Sequence, residues 1–310
     1  MKYIKDGLFG LAVGEAFSVQ HDMEERDIRF EDLEMQGYRA YDAPKGSYSD
    51  DTCEVLACMD SYLKTRKKSN SQFFPTFMDN LCNWVNNNDY ACVDYLFDIS
   101  KSTRFALMNY WRDKDLETSG LTEDNRQDGS FLARLFVLLI IYKDVEMDDL
   151  SLRDNIIKIV KPTHNNEVSF MGGFIYYKLL KYLVDGYTPE EAYEKIRKIQ
   201  YNKMFSDETI NKYSRLIEND ILDLLVKDIK GDNSVVSMLE SVIYVLCIAV
   251  NYHYSIRGAV SLGGATGMRG SLVGLPAGIY YGYKSIPKEW LNDLRNKAYL
   301  EKWIRKIRRS

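Results

Sequence analysis

Basic charge is not in excess in this chain. Its 310 residues carry 41 Lys and Arg against 45 Asp and Glu, a net charge of −4, so it has no global electrostatic footprint for nucleic acid. Cysteine is sparse and unpatterned. Cys53, Cys58, Cys82, Cys92 and Cys247 show no metal-type spacing and no even framework, which argues against disulfides and suits reduced, buried thiols in a cytoplasmic protein. No apolar run reaches membrane length. The longest, 131–142, 241–250 and 271–281, fall short of the roughly 20 residues a spanning helix needs. Charges interrupt the opening Met1-Lys2-Tyr3-Ile4-Lys5-Asp6, so it does not read as a signal peptide. Proline occurs only six times. Strand signals are nearly absent, with little alternation and no Asn-Gly hairpin turn.

What remains is helical periodicity. Candidate helices cover 3–19, 51–65, 73–87, 103–113, 130–143, 150–160, 168–185, 188–199, 207–228 and 235–252. Residues 20–48 read as a long polar loop, and a loop of that length inside a compact domain is usually functional. Gly7, Gly10 and Gly14 share roughly one face of the first helix. Each costs about 1 kcal/mol in a helix interior, so the stripe predicts close approach of another helix. Gly270, Gly274, Gly278 and Gly282 form a second stripe, with Pro276 as an expected kink. The basic 302–309 segment is amphipathic and reads as a last helix with cations at its C-terminal end. No linker or repeat divides the chain, so the expectation is one all-α domain over 1–310.

The stretch Ser49-Asp50-Asp51-Thr52 carries the most chemistry. It stands before the apolar-periodic run Val55, Leu56, Met59, Tyr62 and Leu63, and reads as a helix start capped by Ser49. Clustered carboxylate and hydroxyl oxygens are also what Mg²⁺ binds. Other segments fall in order around it. Gly7 to Phe17 has the form of a helix ending in Gly14-Glu15-Ala16-Phe17; further on stand Phe97-Asp98-Ile99-Ser100, Asp128-Gly129-Ser130, Thr163-His164 and Gly263-Gly264-Ala265-Thr266-Gly267-Met268.

Over roughly residues 3 to 283 these segments resemble the ADP-ribosylglycohydrolase family, all-α dinuclear magnesium enzymes. Glu15 stands for the Asp of the family's Gly-Asp-Ala-Leu-Gly, and Ser49–Thr52 for its Thr-Asp-Asp-Thr. Residues 97–104 resemble its Phe-Asp-Ile segment, and 128–133 its Asn-Gly-Ser segment with Ala133 in place of Arg. Residues 263–268 resemble its Gly-Gly-Asp-x-Asp-Thr. The resemblance implies an orthogonal multi-helix domain whose cleft binds two Mg²⁺ ions and cleaves a glycosidic bond of ADP-ribose.

Ala265 and Gly267 replace the late Asp pair, and Met268 the trailing hydroxyl. The resemblance therefore implies only a partial metal site at Ser49, Asp50 and Asp51. Asp98, Asp22 and Asp51 are the catalytic candidates, with Asp22 counted onto a substrate-loop Glu. His164, Gly263, Gly264, Ser130 and Arg269 are the ligand-binding candidates: His164 for phosphate or ribose, the glycine amides for pyrophosphate, Ser130 as cleft wall. Arg269 is expected to fill part of the space left by the metals and to bind Asp50, Asp51 or a ligand phosphate; the alternative is an exposed arginine. His21 is expected to be exposed in the loop, and His253 to lie in the core or at its edge.

Three functional readings follow. The first is a binder of ADP-ribose or a related nucleotide with impaired or lost magnesium-dependent hydrolysis. The second is an active hydrolase acting on ADP-ribosylated protein, nucleic acid or small molecule. The third is an interaction protein that keeps only the fold. The retained cleft acids argue against the third.

Overall fold

The computed structural model describes residues 2–309 except 27–29, 31–32, 68–71, 124–126 and 144. Its regular structure is helical. Among the described residues the β-type pairings are two isolated bridges, Leu121 with His164 and Asp128 with Ser234.

Two glycine-bearing helices form the centre. In the opening helix, Lys2–Ser18, every residue from Asp6 to Ser18 is buried, as suits a helix apolar nearly all round. It lies against Thr266–Tyr281 at backbone distance. A Cβ added at Gly10 would stand 2.2 Å from the Gly274 carbonyl oxygen, and one at Gly14 2.2 Å from that of Gly270. The expected close approach is thus present between Gly10 and Gly14 on one helix and Gly270, Gly274 and Gly278 on the other, whereas Gly7 meets the Phe136 and Leu275 side chains and Gly282 lies past the helix end at a φ of +83°. The helix continues through Pro276 to Tyr281. Tyr252, opening the helix Tyr252–Ser261, donates its hydroxyl to the Gly10 carbonyl at 2.7 Å and ties a third element to the pair. The last helix, Lys297–Arg308, buries Leu300, Trp303, Ile304 and Ile307 and keeps Arg305, Lys306 and Arg308 in its last turn.

Three expected helices end differently, each for a local polar reason. The 130–143 segment is helical only over Leu135–Ile141, because the Asp128 carboxylate captures the Ser130 backbone N–H and hydroxyl and holds 128–130 in a turn. The 207–228 segment breaks into Asp207–Lys212, Ser214–Ile217 and two short 3₁₀ turns, with Asp220 accepting from the Leu222 amide at one break. The 235–252 segment stops at Ile248, and Asn251 caps the next helix by accepting from Tyr254.

The 20–48 loop is tied to the body by Gln20. Its amide donates to the Ala43 carbonyl at 3.0 Å and accepts from the Arg39 N–H at 2.9 Å. His21, expected in solvent, is buried instead. Its ring nitrogens lie 2.9 Å from Glu24 Oε2 and 2.9 Å from the Glu34 carbonyl. His253 stacks on Trp290, ring centres 5.1 Å apart.

Candidate functional site

Helix starts and the 20–48 loop enclose a cleft of about 630 Å³, lined by Asp22, Met23, Tyr41, Asp50, Asp98, Lys101, Asp128, Ala265 and Met268 among others. A larger groove of about 800 Å³, between Lys143 and Lys181, is lined by Glu146 and Asp148 beside three lysines, whereas the clustered carboxylates Glu15, Asp50 and Asp51 lie at the first, so the chemistry points there.

Glu15 organises the cleft floor. Its Oε1 accepts from Ser49 Oγ at 2.9 Å and from the Asp51 N–H at 2.9 Å, and its Oε2 from the Thr52 N–H at 3.1 Å and from the Thr52 hydroxyl. The helix Asp50–Thr65 is therefore capped from another helix, and Ser49 itself makes no side-chain cap. Among the described residues one group of three carboxylates, Glu15, Asp50 and Asp51, brings one oxygen each within 4.8 Å of the others. Four donors already fill both oxygens of Glu15, which makes it an anchor rather than a ligand.

Asp50 faces the cleft. It accepts from the Ser100 N–H at 3.1 Å through Oδ2 and from the Asp51 N–H at 3.1 Å through Oδ1. Asp51 is buried; its Oδ2 accepts from the Ser271 hydroxyl, while Oδ1 has no partner. An orphaned buried carboxylate oxygen beside Asp50 fits a cation. Across from it, positions 265, 267 and 268 offer no carboxylate or hydroxyl.

Asp22 lies at that spot. Its Oδ1 accepts from the Gly267 N–H at 2.7 Å and from Thr266 Oγ1 at 3.2 Å. A Cβ at Gly267 would sit 3.3 Å from that oxygen. The carboxylate of Asp22 thus occupies the space that a longer side chain at 267 would enter. The Tyr41 hydroxyl lies 3.0 Å from Asp22 Oδ2 and 3.2 Å from Asp98 Oδ1, and the Ser49 hydroxyl 3.2 Å from Asp98 Oδ2.

Among the described residues Asp98 has only the Tyr41 and Ser49 hydroxyls, each with one proton and each shared with another acid, whereas Glu15, Asp22 and Asp50 have further donors. Carboxylates crowded in this way favour protonation or a neighbouring cation. Burial raises every one, and repulsion between the acids adds to it at Glu15, Asp50, Asp51 and Asp98. Burial and then Asp50 push Glu15 up to about 7. Burial also takes Asp50 up to about 6. Burial followed by the Asp50 charge raises Asp51 and Asp98 well above the carboxylate range. Burial raises Asp22 against the pull of its hydrogen bonds to Gly267 and Tyr41.

Several expected ligand contacts lie behind the cleft wall. His164 is fully buried, its ring nitrogens 3.2 Å from Asp128 Oδ1 and 2.8 Å from Thr163 Oγ1. It supports Asp128 and does not line the cleft. Burial opposes the charge on Asp128, yet His164 and the Ser102 and Ser130 hydroxyls hold its carboxyl well below the usual range. Ser130 is likewise buried, donating to Asp128 at 2.6 Å and accepting from Ser100 at 2.9 Å. Gly263 and Gly264 adopt φ of +67° and +68°. Their amides donate to the Val260 and Glu24 carbonyls, so neither is free for a pyrophosphate.

Arg269 is the clearest correction. Its guanidinium is fully buried and donates to Ser241 Oγ at 3.0 Å and to the carbonyls of Ala259, Gly263 and Gly231 at 3.3, 2.7 and 2.6 Å. It braces the turn beneath the cleft and makes no contact with Asp50 or Asp51. The functional residues missing from the sequence reading are Glu15 in its capping role, Tyr41 and Ser271. For Tyr41 and Ser271 no local pattern marks them, because their partners are far away in the chain.

A sequence profile described as ADP-ribosylglycohydrolase matches residues 2–310. The chain belongs to the ADP-ribosylglycohydrolase family. It is similar to an ADP-ribosylarginine hydrolase of Serratia proteamaculans, 25% identical over 300 residues that span 94% of this chain and 74% of that protein. A second ADP-ribosylarginine hydrolase, from Pseudomonas putida, is 21% identical over 98% of this chain and 77% of its own length. A solved structure titled ADP-ribosylglycohydrolase-related protein complex shares the fold, with a TM-score of 0.80, 22% identity and coverage of 99% of this chain and 97% of that one. The all-α orthogonal fold of the family is therefore present. Among the described residues no helix is long and apolar enough to cross a membrane.

Proposed function

We propose that this member of the ADP-ribosylglycohydrolase family binds ADP-ribose, free or joined to an arginine side chain, in the cleft between Asp22, Asp50 and Asp98, with magnesium-dependent hydrolysis impaired. One observation carries this reading: the head of the Thr266–Tyr281 helix bears no carboxylate, and Asp22 is tied down there by Gly267 and Thr266. Mg²⁺ takes near-octahedral oxygen coordination. Ser49, Asp50 and Asp51 fit one such ion from one side, and no opposing pair fits a second. When bound, that ion would balance the crowded carboxylates and polarise ribose oxygens.

The residues of the chain define what is left. Burial and then the Asp50 charge raise the Asp98 carboxyl well above the ordinary carboxylate range, which favours its protonated form, a hydrogen-bond donor to ligand oxygen, over the bare carboxylate. Asp50 and Asp22 offer acceptors to ribose hydroxyls. A cleft of about 630 Å³ lies in the range of small-ligand sites. Burying so many like charges costs stability, which a ligand site explains and a bare scaffold does not. Five free thiols suit a reducing cytoplasm.

A second reading, hydrolysis with a single cation, draws on the unpartnered Asp51 Oδ1. Calorimetric titration of ADP-ribose with Mg²⁺ and with chelator, beside a release assay on ADP-ribosylarginine, separates the two. Binding in both conditions with no release is expected. Magnesium-dependent release at the rate of the Serratia hydrolase, run in parallel, overturns the proposal.

A further inference from the structure

The helix Lys101–Asp113 begins at the cleft, where Lys101 and Ser102 line the wall, and leads away from it. Its inner face buries Ser102, Thr103, Ala106, Leu107 and Tyr110. Its outer face carries Lys101, Arg104, Phe105, Met108 and Trp111 at the spacing of one helical stripe. At 1.5 Å per residue the stripe is about 15 Å long. Phe105, Met108 and Trp111 are 41%, 60% and 59% exposed. Beside them a groove of about 310 Å³, lined by Cys82, Val85, Arg104, Leu107, Met108 and Trp111, opens toward the helix Phe73–Asn87. Lys114 Nζ lies 4.8 Å from the Trp111 ring centre and holds the indole in place.

Large exposed apolar side chains grouped with cations mark protein contact surfaces. A free nucleotide fills the cleft and needs nothing 15 Å beyond its mouth, whereas a macromolecule that carries the same group must lie across the rim. Lys101 and Arg104 on an otherwise acidic chain select an acidic partner. We infer that this face is the docking surface for the protein whose modified side chain enters the cleft. That protein would place a large apolar side chain in the groove and acidic residues against Lys101 and Arg104. The inference rests on the cleft being an ADP-ribose site.

The test uses the full chain and four probes in calorimetry: ADP-ribose, a peptide carrying ADP-ribosylarginine with Glu and Phe about five residues away, the same peptide unmodified, and the modified peptide with Lys for Glu. Five extended residues span about 16 Å. The modified acidic peptide should bind about tenfold more tightly than ADP-ribose and than its lysine version. The double variant M108E/W111E, checked for an unchanged melting temperature, should lose that gain and keep its affinity for ADP-ribose. If the gain is absent, or survives in the variant, the inference fails. If ADP-ribose does not bind but the unmodified acidic peptide does, through Met108 and Trp111, the cleft reading fails and the surface stands. Self-association of the chain that M108E/W111E abolishes would assign the face to a second copy and overturn the inference.

Discussion

At Glu15 a buried carboxylate works as a structural anchor inside a site made of acids. Its four acceptor contacts hold the start of the Asp50–Thr65 helix in register with the opening helix. Removing a helix cap costs about 1–2 kcal/mol. Glu15→Ala should therefore lower the unfolding free energy from urea denaturation by that amount or more, and Glu15→Gln by less, because an amide oxygen still accepts. The acids also set a pH dependence. Glu15, Asp50 and Glu54 rise from ordinary carboxyl values to about 7, 6 and 7, chiefly through burial. Between the ordinary and the raised values the folded chain binds more protons than the unfolded one, so stability is full below about pH 4 and falls as pH rises through 6 to 7. Melting with chelator present should thus occur several degrees higher at pH 5.5 than at pH 8. Asp98→Asn, which removes one crowded acid, should raise the melting temperature more at pH 8 than at pH 5.5; equal effects at both would refute the crowding argument.

The central helix pair belongs to the scale of elements. The facing stripes of Gly10, Gly14, Gly270, Gly274 and Gly278 bring backbone against backbone, where an added Cβ at Gly10 meets a carbonyl oxygen at 2.2 Å. Carbonyls of a buried helix cannot give way as a flexible side chain does. Gly10→Ala should cost roughly 3 kcal/mol, read as a drop in the denaturation midpoint. This packing was legible in the sequence, since three glycines at helical spacing have few other uses. The breaks at 128–134 and 219–225 were not, because an Asp side chain that captures a nearby amide competes with helix on nearly equal terms. Arg269 was misplaced for a related reason. An arginine at a helix start is equally at home in solvent, on a carboxylate or among carbonyls. Only the turn 259–263 and Gly231 bring the carbonyls to it. Arg269→Ala should lower stability by roughly 3 kcal/mol, leaving two buried carbonyls and the part-buried Gly231 carbonyl without their donor, and should affect the ligand only through the turn.

For the whole molecule, the question is how many divalent cations the cleft can hold. A cation that binds the folded chain alone raises the melting temperature by mass action. Mn²⁺ or Mg²⁺ should stabilise the wild type modestly, and Asp51→Asn should abolish the shift. Restoring carboxylates with Ala265→Asp and Gly267→Asp brings the new side chain at 267 against Asp22, since a Cβ there lies 3.3 Å from its Oδ1. The pair alone should therefore gain little cation affinity, and the gain should appear when Asp22→Gly is added. Cation titration followed by melting temperature reads this without reference to turnover. Equal gain with and without Asp22→Gly would show that Asp22 does not occupy the late ligand position.

The all-α class, the family and the absence of late carboxylates at 265 and 267 were determined by the sequence alone, because periodicity, motif order and residue identity are local properties. The tertiary structure decided what each polar group does: Glu15 as a cap, Asp22 at the head of the Thr266–Tyr281 helix, His164 behind Asp128, and Arg269 among carbonyls. Hydrogen bonds in a dry interior go to whatever the fold brings within reach, and those partners lie as far as 245 residues away along the chain.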